Sequence, residues 1–320
     1  MAKKRLLAHK RFGKLMGLVR RLQRPRNGLT RKVNKLIKAY QLRDTDCILC
    51  GSSEFQLVAE TDRFGFDLKK KACKSCGLLQ SNPLPQQEFF NTFYRDYYRK
   101  LYRGGRAEHL PKLFAQQNER GARIFDFLSQ KCQINEFDIF EIGCSYGGVL
   151  DAFRQRGLFV AGCDLDEDAV AHAQSIGINA NVGALPSKVA ARPTVYIMSH
   201  VLEHIPNPRE TLSVLSSIMT ADDLLYVEVP GLNALLKGAY RGDLLNYFHI
   251  GHVADFSAST LQSLMSTSGF RHLYIDDDVV SLFRRSDDVD DAPIANSFIE
   301  TINSLRQIEA NWTRIPQVIR

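Results

Sequence analysis

The chain has 320 residues and a mass of 36.2 kDa; 44% of it is hydrophobic and 24% charged, a balance that builds a core and excludes wholesale disorder. No run approaches the roughly 18 apolar residues of a membrane-spanning helix, and Leu6-Leu7-Ala8 is cut off by His9-Lys10-Arg11 before it could form the core of an export signal. Seven cysteines without an export signal point to the cytoplasm, where thiols bind metal or stay free.

The net charge of +7 is unevenly placed. Residues 1–43 hold fifteen of the 42 basic residues and no acid, which leaves 27 basic and 35 acidic groups, a balance of −8, on the rest. Such an arm seeks phosphates: an anionic membrane surface, a phosphate-linked carrier or nucleic acid. It also has helical periodicity. Phe12, Leu15, Met16, Val19 and Leu22 share one face, and after Pro25, Asn27 and Gly28 a second stripe follows at Leu29, Val33, Leu36, Ile37 and Tyr40. A basic amphipathic helix can lie on the inner face of a membrane; alternatively the stripes pack on the body, or the arm is a targeting segment.

Cys47-Ile48-Leu49-Cys50 comes next, then 22 residues, then Cys73-Lys74-Ser75-Cys76. Two such pairs have the spacing of a closed, structural zinc site with Cys47, Cys50, Cys73 and Cys76 as ligands. Gly51 and Gly77 follow each pair, where a tight turn needs a residue without Cβ. Short strands at 56–59 and 66–68 complete a predicted zinc ribbon over 44–85. The competing reading is four buried thiols or a redox pair.

Residues 86–130 read as helical, with tyrosines at 94, 97, 98 and 102 that suit a core or a lid. Then Phe137–Ile142 forms an apolar strand, Gly143-Cys144-Ser145-Tyr146-Gly147-Gly148 a glycine turn, and Val149–Arg156 a helix. That is the nucleotide site of a doubly wound sheet. The next strand ends at Asp164, 21 residues after Gly143, where a carboxylate accepts bonds from two ribose hydroxyls. The turn lacks the dinucleotide pattern. Glu141 precedes it, and an acid there would repel a pyrophosphate but suits an ammonium group.

With these residues the chain resembles the class I S-adenosylmethionine-dependent methyltransferases over about 120–285. The resemblance implies an α/β, Rossmann-like seven-stranded domain over 131–285, preceded by the zinc ribbon and the basic helical arm and followed by a helical extension over 286–320. It implies that Glu141, Gly143, Ser145, Gly147 and Asp164 hold the cofactor, with Leu165, Ala184, Leu185, Ser199 and His200 lining its pocket. Val201-Leu202-Glu203-His204 matches the exit of the fourth strand, and Val227-Glu228-Val229-Pro230 the end of the fifth.

A four-cysteine ribbon directly before such a domain resembles the bacterial sugar C-methyltransferase-like family, whose relatives occur in surface-polysaccharide pathways. That family places a Glu-His pair ahead of a Tyr-Phe-Ser stretch for proton transfer. Here His252 matches the histidine, Gly251 replaces the glutamate, and the large C-terminal substrate region is not seen. Both departures favour O- over C-methylation, because a hydroxyl asks less of its base than a carbon acid does. His252 is the first candidate base and His204 the second, each with a structural role as the alternative. The expected acceptor is a sugar or glycan. The rivals are an RNA methyltransferase and a non-catalytic scaffold of the same fold. No Asn/Asp-Pro-Pro-Tyr motif for base methylation is present, and the acidic body disfavours a broad nucleic-acid footprint.

Overall fold

The structure is a computed structural model that describes residues 26–40, 42–60, 62, 64–66, 68–102, 110–186, 192–287 and 294–314. The first apolar stripe of the arm, 12–22, lies outside the described residues.

The larger of two sheets has seven strands: β4 (Asp138–Ile142), β5 (Val160–Asp164), β6 (Asn179–Val182), β7 (Thr194–Ser199), β8 (Leu224–Glu228), β10 (Phe270–Ile275) and β11 (Val280–Arg285). Their order is β10-β11-β8-β7-β4-β5-β6. The five strands from β8 to β6 run parallel, and β11 and β10 add antiparallel pairs at one edge. The chain moves outward from β4 to β6, then returns to lay β7 on the other side of β4. Such a reversal opens a crevice at the carboxyl ends of the central strands.

Parallel strands are covered on both faces and read as near-continuous apolar runs. In β7, Val195 and Ile197 enter one core with Leu150 and Phe153, while Tyr196 and Met198 enter the other with Phe140, Leu212 and Leu225. Helices α3 (Leu110–Ser129), α4 (Gly148–Arg154) and α5 (Glu167–Ser175) belong to the β4–β6 half; α6 (Pro208–Ile218) and α7 (Ala258–Ser266) belong to the other.

The smaller sheet is antiparallel: β1 (Phe55–Ala59), β2 (Lys70–Cys73), β3 (Leu79–Ser81) and β9 (Ala254–Asp255), in that order. The second ribbon strand therefore lies at 70–73 and carries Cys73, rather than at 66–68. There Phe66 and Leu68 are buried in a separate apolar cluster, so their hydrophobicity serves packing instead of a ladder. The fourth strand comes from much later in the chain, just before α7, with Leu79 opposite Asp255 and Gln80 opposite Ala254.

Helix α1 (Arg26–Ala39) carries the arm's second stripe. Val33 and Ile37 are buried against Phe66, Phe89 and Phe93, so this stripe packs on the body and does not face a lipid surface. Phe89 and Phe93 come from α2 (Gln87–Phe93), which runs on through a π-helical turn over Tyr94–Tyr98. The last helix, α8 (Phe298–Arg314), sets Ile302, Leu305 and Ile308 against Val58, Ala59, Ala72 and Leu79 of the ribbon. No helix among the described residues is long and apolar enough to cross a membrane.

Candidate active site

Glu141, the penultimate residue of β4, is 3% exposed, and its Oε2 has no hydrogen-bond partner. Burial pushes its carboxyl well above the usual range; the nearby Arg120 guanidinium opposes that shift and Asp164 adds to it. Arg120 projects from α3 with a buried Nε that also lacks a partner, and its charge reaches His200 and Glu228 as well. A buried carboxylate oxygen of Glu141 and the buried Nε of the half-buried Arg120, both without a hydrogen-bond partner, together make a dipolar cradle. It fits the ammonium and carboxylate of an amino-acid moiety.

Gly143 turns away from β4 with φ +75°, and a Cβ there would meet Val201 Cγ2 at 2.5 Å. Ser145 is also left-handed, at φ +49°, and donates its N–H to Asp164 Oδ2 at 2.8 Å. Asp164 Oδ1 accepts from Asp166 N at 2.9 Å. Burial raises the Asp164 carboxyl and these two N–H bonds oppose it. Each oxygen keeps a second lone pair for a hydroxyl. Gly147, at φ +83°, opens α4. Leu165 is 67% exposed beside Asp164. Gly183 N–H donates to the Asp164 carbonyl at 3.0 Å, which sets the neighbouring Ala184 and Leu185 at the same end. Ser199 Oγ donates to Glu228 Oε2 at 3.2 Å.

A second cluster stands at the exits of β7 and β8. His200 is strained, at φ +57°, as residues at functional sites often are. Its Nδ1 lies 3.5 Å from Glu203 Oε1 and its Nε2 3.8 Å from Glu228 Oε1. Burial pulls His200 down, but the two carboxylates outweigh it and push its pKa up to about 9. Glu203 is 1% exposed. Burial raises it, but His204, His200 and His252 more than reverse this and bring it down to about 2. An imidazolium at His200 thus faces ionised Glu203 and Glu228.

His204 Nδ1 is 2.7 Å from the Gly251 carbonyl oxygen and 3.1 Å from Tyr94 Oη. A carbonyl only accepts, so Nδ1 carries the proton and the lone pair of the neutral ring is at Nε2. That Nε2 is 3.7 Å from Glu203 Oε1. Burial depresses His204 to about 4, with Glu203 opposing. Tyr94 comes from the π-helical turn, a local widening frequent at functional sites.

His252 lies deeper, with its side chain 4% exposed and its Nε2 3.9 Å from Glu203 Oε1. Its Nδ1 is 3.3 Å from Asp255 Oδ1, and Asp255 Oδ2 pairs with Lys70 Nζ at 2.7 Å. The position of the missing glutamate has a geometric explanation. A Cβ at Gly251 would come within 3.2 Å of the His249 ring and 3.4 Å of His204 Cε1. A carboxylate is nonetheless present between the histidines, supplied by Glu203.

The ligand atoms of Glu203, His204 and His252 all lie within 4.8 Å of one another. The two histidine nitrogens stand 3.7 and 3.9 Å from Glu203 Oε1, and His200 sets a further positive group 3.5 Å from the same oxygen. The four ribbon cysteines differ. Cys47 and Cys76 sulfurs are 3.6 Å apart, and Cys50 and Cys73 3.5 Å, close to the ~3.8 Å edge of a tetrahedron with 2.3 Å arms. Both loops fold alike: Gly51 N–H donates to the Cys47 carbonyl at 2.8 Å and Gly77 N–H to that of Cys73 at 2.9 Å. The four sulfurs thus fit a tetrahedral metal ion.

The structure therefore places Glu141, Gly143, Ser145, Gly147 and Asp164 at the carboxyl ends of β4 and β5 and in the turn between β4 and α4, and Ser199 and His200 at the exit of β7 beside Glu228, with His204 and the buried His252 around Glu203. Sequence reasoning assigned no site role to Arg120, Glu203, Glu228, Lys70 or Asp255, and left Tyr94 between a core and a lid. Glu203 directly precedes His204 in the chain, and its match to the missing acid needed three-dimensional proximity.

Residues 95–275 match the family described as "Methyltransferase domain". This is more than half of the chain, and the chain belongs to that family: it carries a methyltransferase domain of the class that uses S-adenosylmethionine. Among curated relatives it is 24% identical over 251 residues to "C-methyltransferase NovU" of Streptomyces niveus, covering 71% of this chain and 56% of the relative. It is 26% identical over 103 residues to "Ubiquinone biosynthesis O-methyltransferase" of Saccharophagus degradans, covering 29% and 44%. The chain thus spans about half the length of these relatives. Of solved structures, magnesium protoporphyrin IX methyltransferase from Synechocystis, with bound SAH, is 16% identical with a TM-score of 0.45, covering 62% of this chain and 98% of that one.

Proposed function

We propose that the protein transfers a methyl group from S-adenosylmethionine to a hydroxyl of a sugar or glycan. The observation that carries this reading is the neutral His204 imidazole. Its Nδ1–H is anchored on Gly251 and its Nε2, which carries the lone pair, lies 3.7 Å from the Glu203 carboxylate.

S-adenosylmethionine supplies an electrophilic methyl group that needs little further activation. Arg120 and Glu141 hold the charged amino-acid end, and Asp164 the ribose hydroxyls. The residues on the β7 and β8 exits handle the acceptor. His204 Nε2 takes the hydroxyl proton as the oxygen attacks in line. Glu203, 3.7 Å from the same Nε2, stabilises by its charge the imidazolium that forms, while the Gly251 carbonyl holds the ring from behind at Nδ1. His200 and Glu228 fix the charge and position of Glu203, and His252 flanks it from behind. Tyr94 orients His204 and borders the acceptor space. Positioning does most of the work.

Zinc in the four-cysteine ribbon belongs to the same proposal, supported by the sulfur spacings. So does a phosphate-linked acceptor, supported by the excess of basic residues over 1–43. The sugar assignment rests on the ribbon-plus-domain order. O-transfer rests on His204 and on the lack of a carboxylate at 251, although one relative is named a C-methyltransferase.

The test is calorimetric titration with S-adenosylhomocysteine, followed by a labelled-methyl acceptor screen with nucleotide-linked sugars and RNA as separate arms. Micromolar binding and labelling of a sugar support the proposal. Labelling of RNA alone overturns the acceptor, and absence of binding to a folded sample favours the scaffold reading.

A further inference from the structure

The segment 249–255 carries His252, yet much of its support comes from the ribbon. The Lys70 side chain is 3% exposed, and its Nζ donates to the His252 carbonyl oxygen at 2.6 Å. The same ammonium pairs with Asp255, whose other oxygen faces the His252 ring. Ser81 Oγ donates to the same His252 carbonyl at 3.2 Å, and Ser81 N–H to that of Val253 at 2.8 Å. Asp62, 2% exposed, accepts the Ile250 N–H at 3.0 Å. Two buried charged residues and a sheet edge of the ribbon thus grip the segment from 250 to 255.

The strand that supplies Lys70 ends at Cys73, one of the four clustered cysteines. With a metal bound, that knuckle would fix the end of the strand three residues from Lys70. The cofactor residues Glu141, Gly143 and Asp164 lie on the other sheet and share none of these bonds.

We infer that the ribbon is a working wall of the active site, and that Lys70 is its positioning residue. Through Asp255 and the His252 main chain, Lys70 holds the His252 imidazole against Glu203, and so sets the groups that handle the acceptor proton without touching the cofactor. This rests on the proposed role of the histidine cluster. It gives the ribbon a task in catalysis in place of nucleic-acid binding or mere scaffolding.

The test uses the full, metal-loaded chain and does not need the acceptor. Imidazole 1H–15N correlations are recorded for the parent and for Lys70→Met, with His252→Gln to assign the His252 signals. S-adenosylhomocysteine affinity is measured on the same samples. The expected result is displaced or broadened His252 signals with a cofactor Kd within about twofold of the parent. Ser81→Ala removes only the weaker donor to the same carbonyl, and is expected to move the signals in the same sense by less; it stands in if Lys70→Met does not fold. A merely structural lysine would lower the melting temperature and leave the His252 signals of the folded protein in place. Unmoved signals overturn the inference. So does a cofactor Kd that weakens tenfold or more, about 1.4 kcal/mol, because Lys70 would then support the whole domain. If the parent itself does not bind S-adenosylhomocysteine, the methyl-transfer reading fails, whatever the His252 signals do.

Discussion

Lys70 and Asp255 are 185 positions apart in the chain, yet their charged groups meet at 2.7 Å with both side chains shut off from solvent. A buried pair of this kind adds little net stability when formed, but leaving one charge behind is costly. Asp255→Ala is expected to cost about 3–5 kcal/mol, read as a shift in the denaturant midpoint. Lys70→Met/Asp255→Leu removes both charges and should cost clearly less. Equal losses would mean that the pair is already solvated.

Asp164→Ala removes the acceptor for the Ser145 N–H as well as the proposed ribose contacts. S-adenosylhomocysteine affinity should fall by about 2 kcal/mol or more, roughly thirtyfold. Calorimetry measures it, and an unchanged Kd would remove Asp164 from the cofactor site.

Glu141→Gln should separate stability from binding. The carboxylate is buried without a hydrogen bond at Oε2, so neutralising it should raise the melting temperature of the unliganded protein. The same change should weaken S-adenosylhomocysteine about tenfold, by loss of one charge-assisted bond. Affinity for 5′-methylthioadenosine, which lacks the amino-acid end, should hardly change. Parallel loss for both ligands would place Glu141 elsewhere in the site.

Two limbs of the pH–stability curve follow from the histidines. His204 is depressed to about 4 from 6.5. As pH falls below 6.5, the unfolded chain takes up a proton that the folded protein refuses, so stability declines toward pH 4. His200 is raised to about 9. Its contribution is complete below 6.5 and is lost as pH rises through 9. His204→Gln should flatten the acid limb and His200→Gln the alkaline one, in melting temperatures taken from pH 4.5 to 9.5. If neither limb changes, the two rings titrate as free histidines do.

Cys73→Ser should abolish stoichiometric zinc, as judged by metal analysis, and lower the melting temperature. The same variant should perturb His252 signals, because Lys70 shares its strand. Retained zinc would point to three-sulfur binding.

Much of the catalytic domain was legible because its signals are local. The apolar runs that became β4, β5, β7 and β8 are continuous, as buried parallel strands must be, and Glu141, Gly143 and Asp164 keep their spacing on one strand–turn–helix–strand unit. The residues that were missed act across the fold. Lys70 sits in a Lys-Lys-Lys run that reads as solvated, and no periodicity marks the middle lysine as buried. Arg120 belongs to an amphipathic helix whose polar positions look alike until the helix is docked. β9 has two residues, too few for an alternating pattern. The ribbon strand placed at 66–68 failed for a related reason: Phe66 and Leu68 are apolar because they fill a core with α1 and α2, not because they form a ladder.

The pairing of β3 with β9 has a consequence for how the protein is made. The ribbon leaves the ribosome first, but the strand that covers its β3 edge is encoded 173 residues later than Ser81. At ordinary elongation rates that is a delay of roughly 10–35 s. During it, a nascent three-stranded sheet would present an unpaired edge, the kind of surface that recruits other strands. The same dependence applies to dissection: a fragment cut after the ribbon would carry the four cysteines together with a raw edge, whereas one that begins after it would leave residues 250–255 without their clamp.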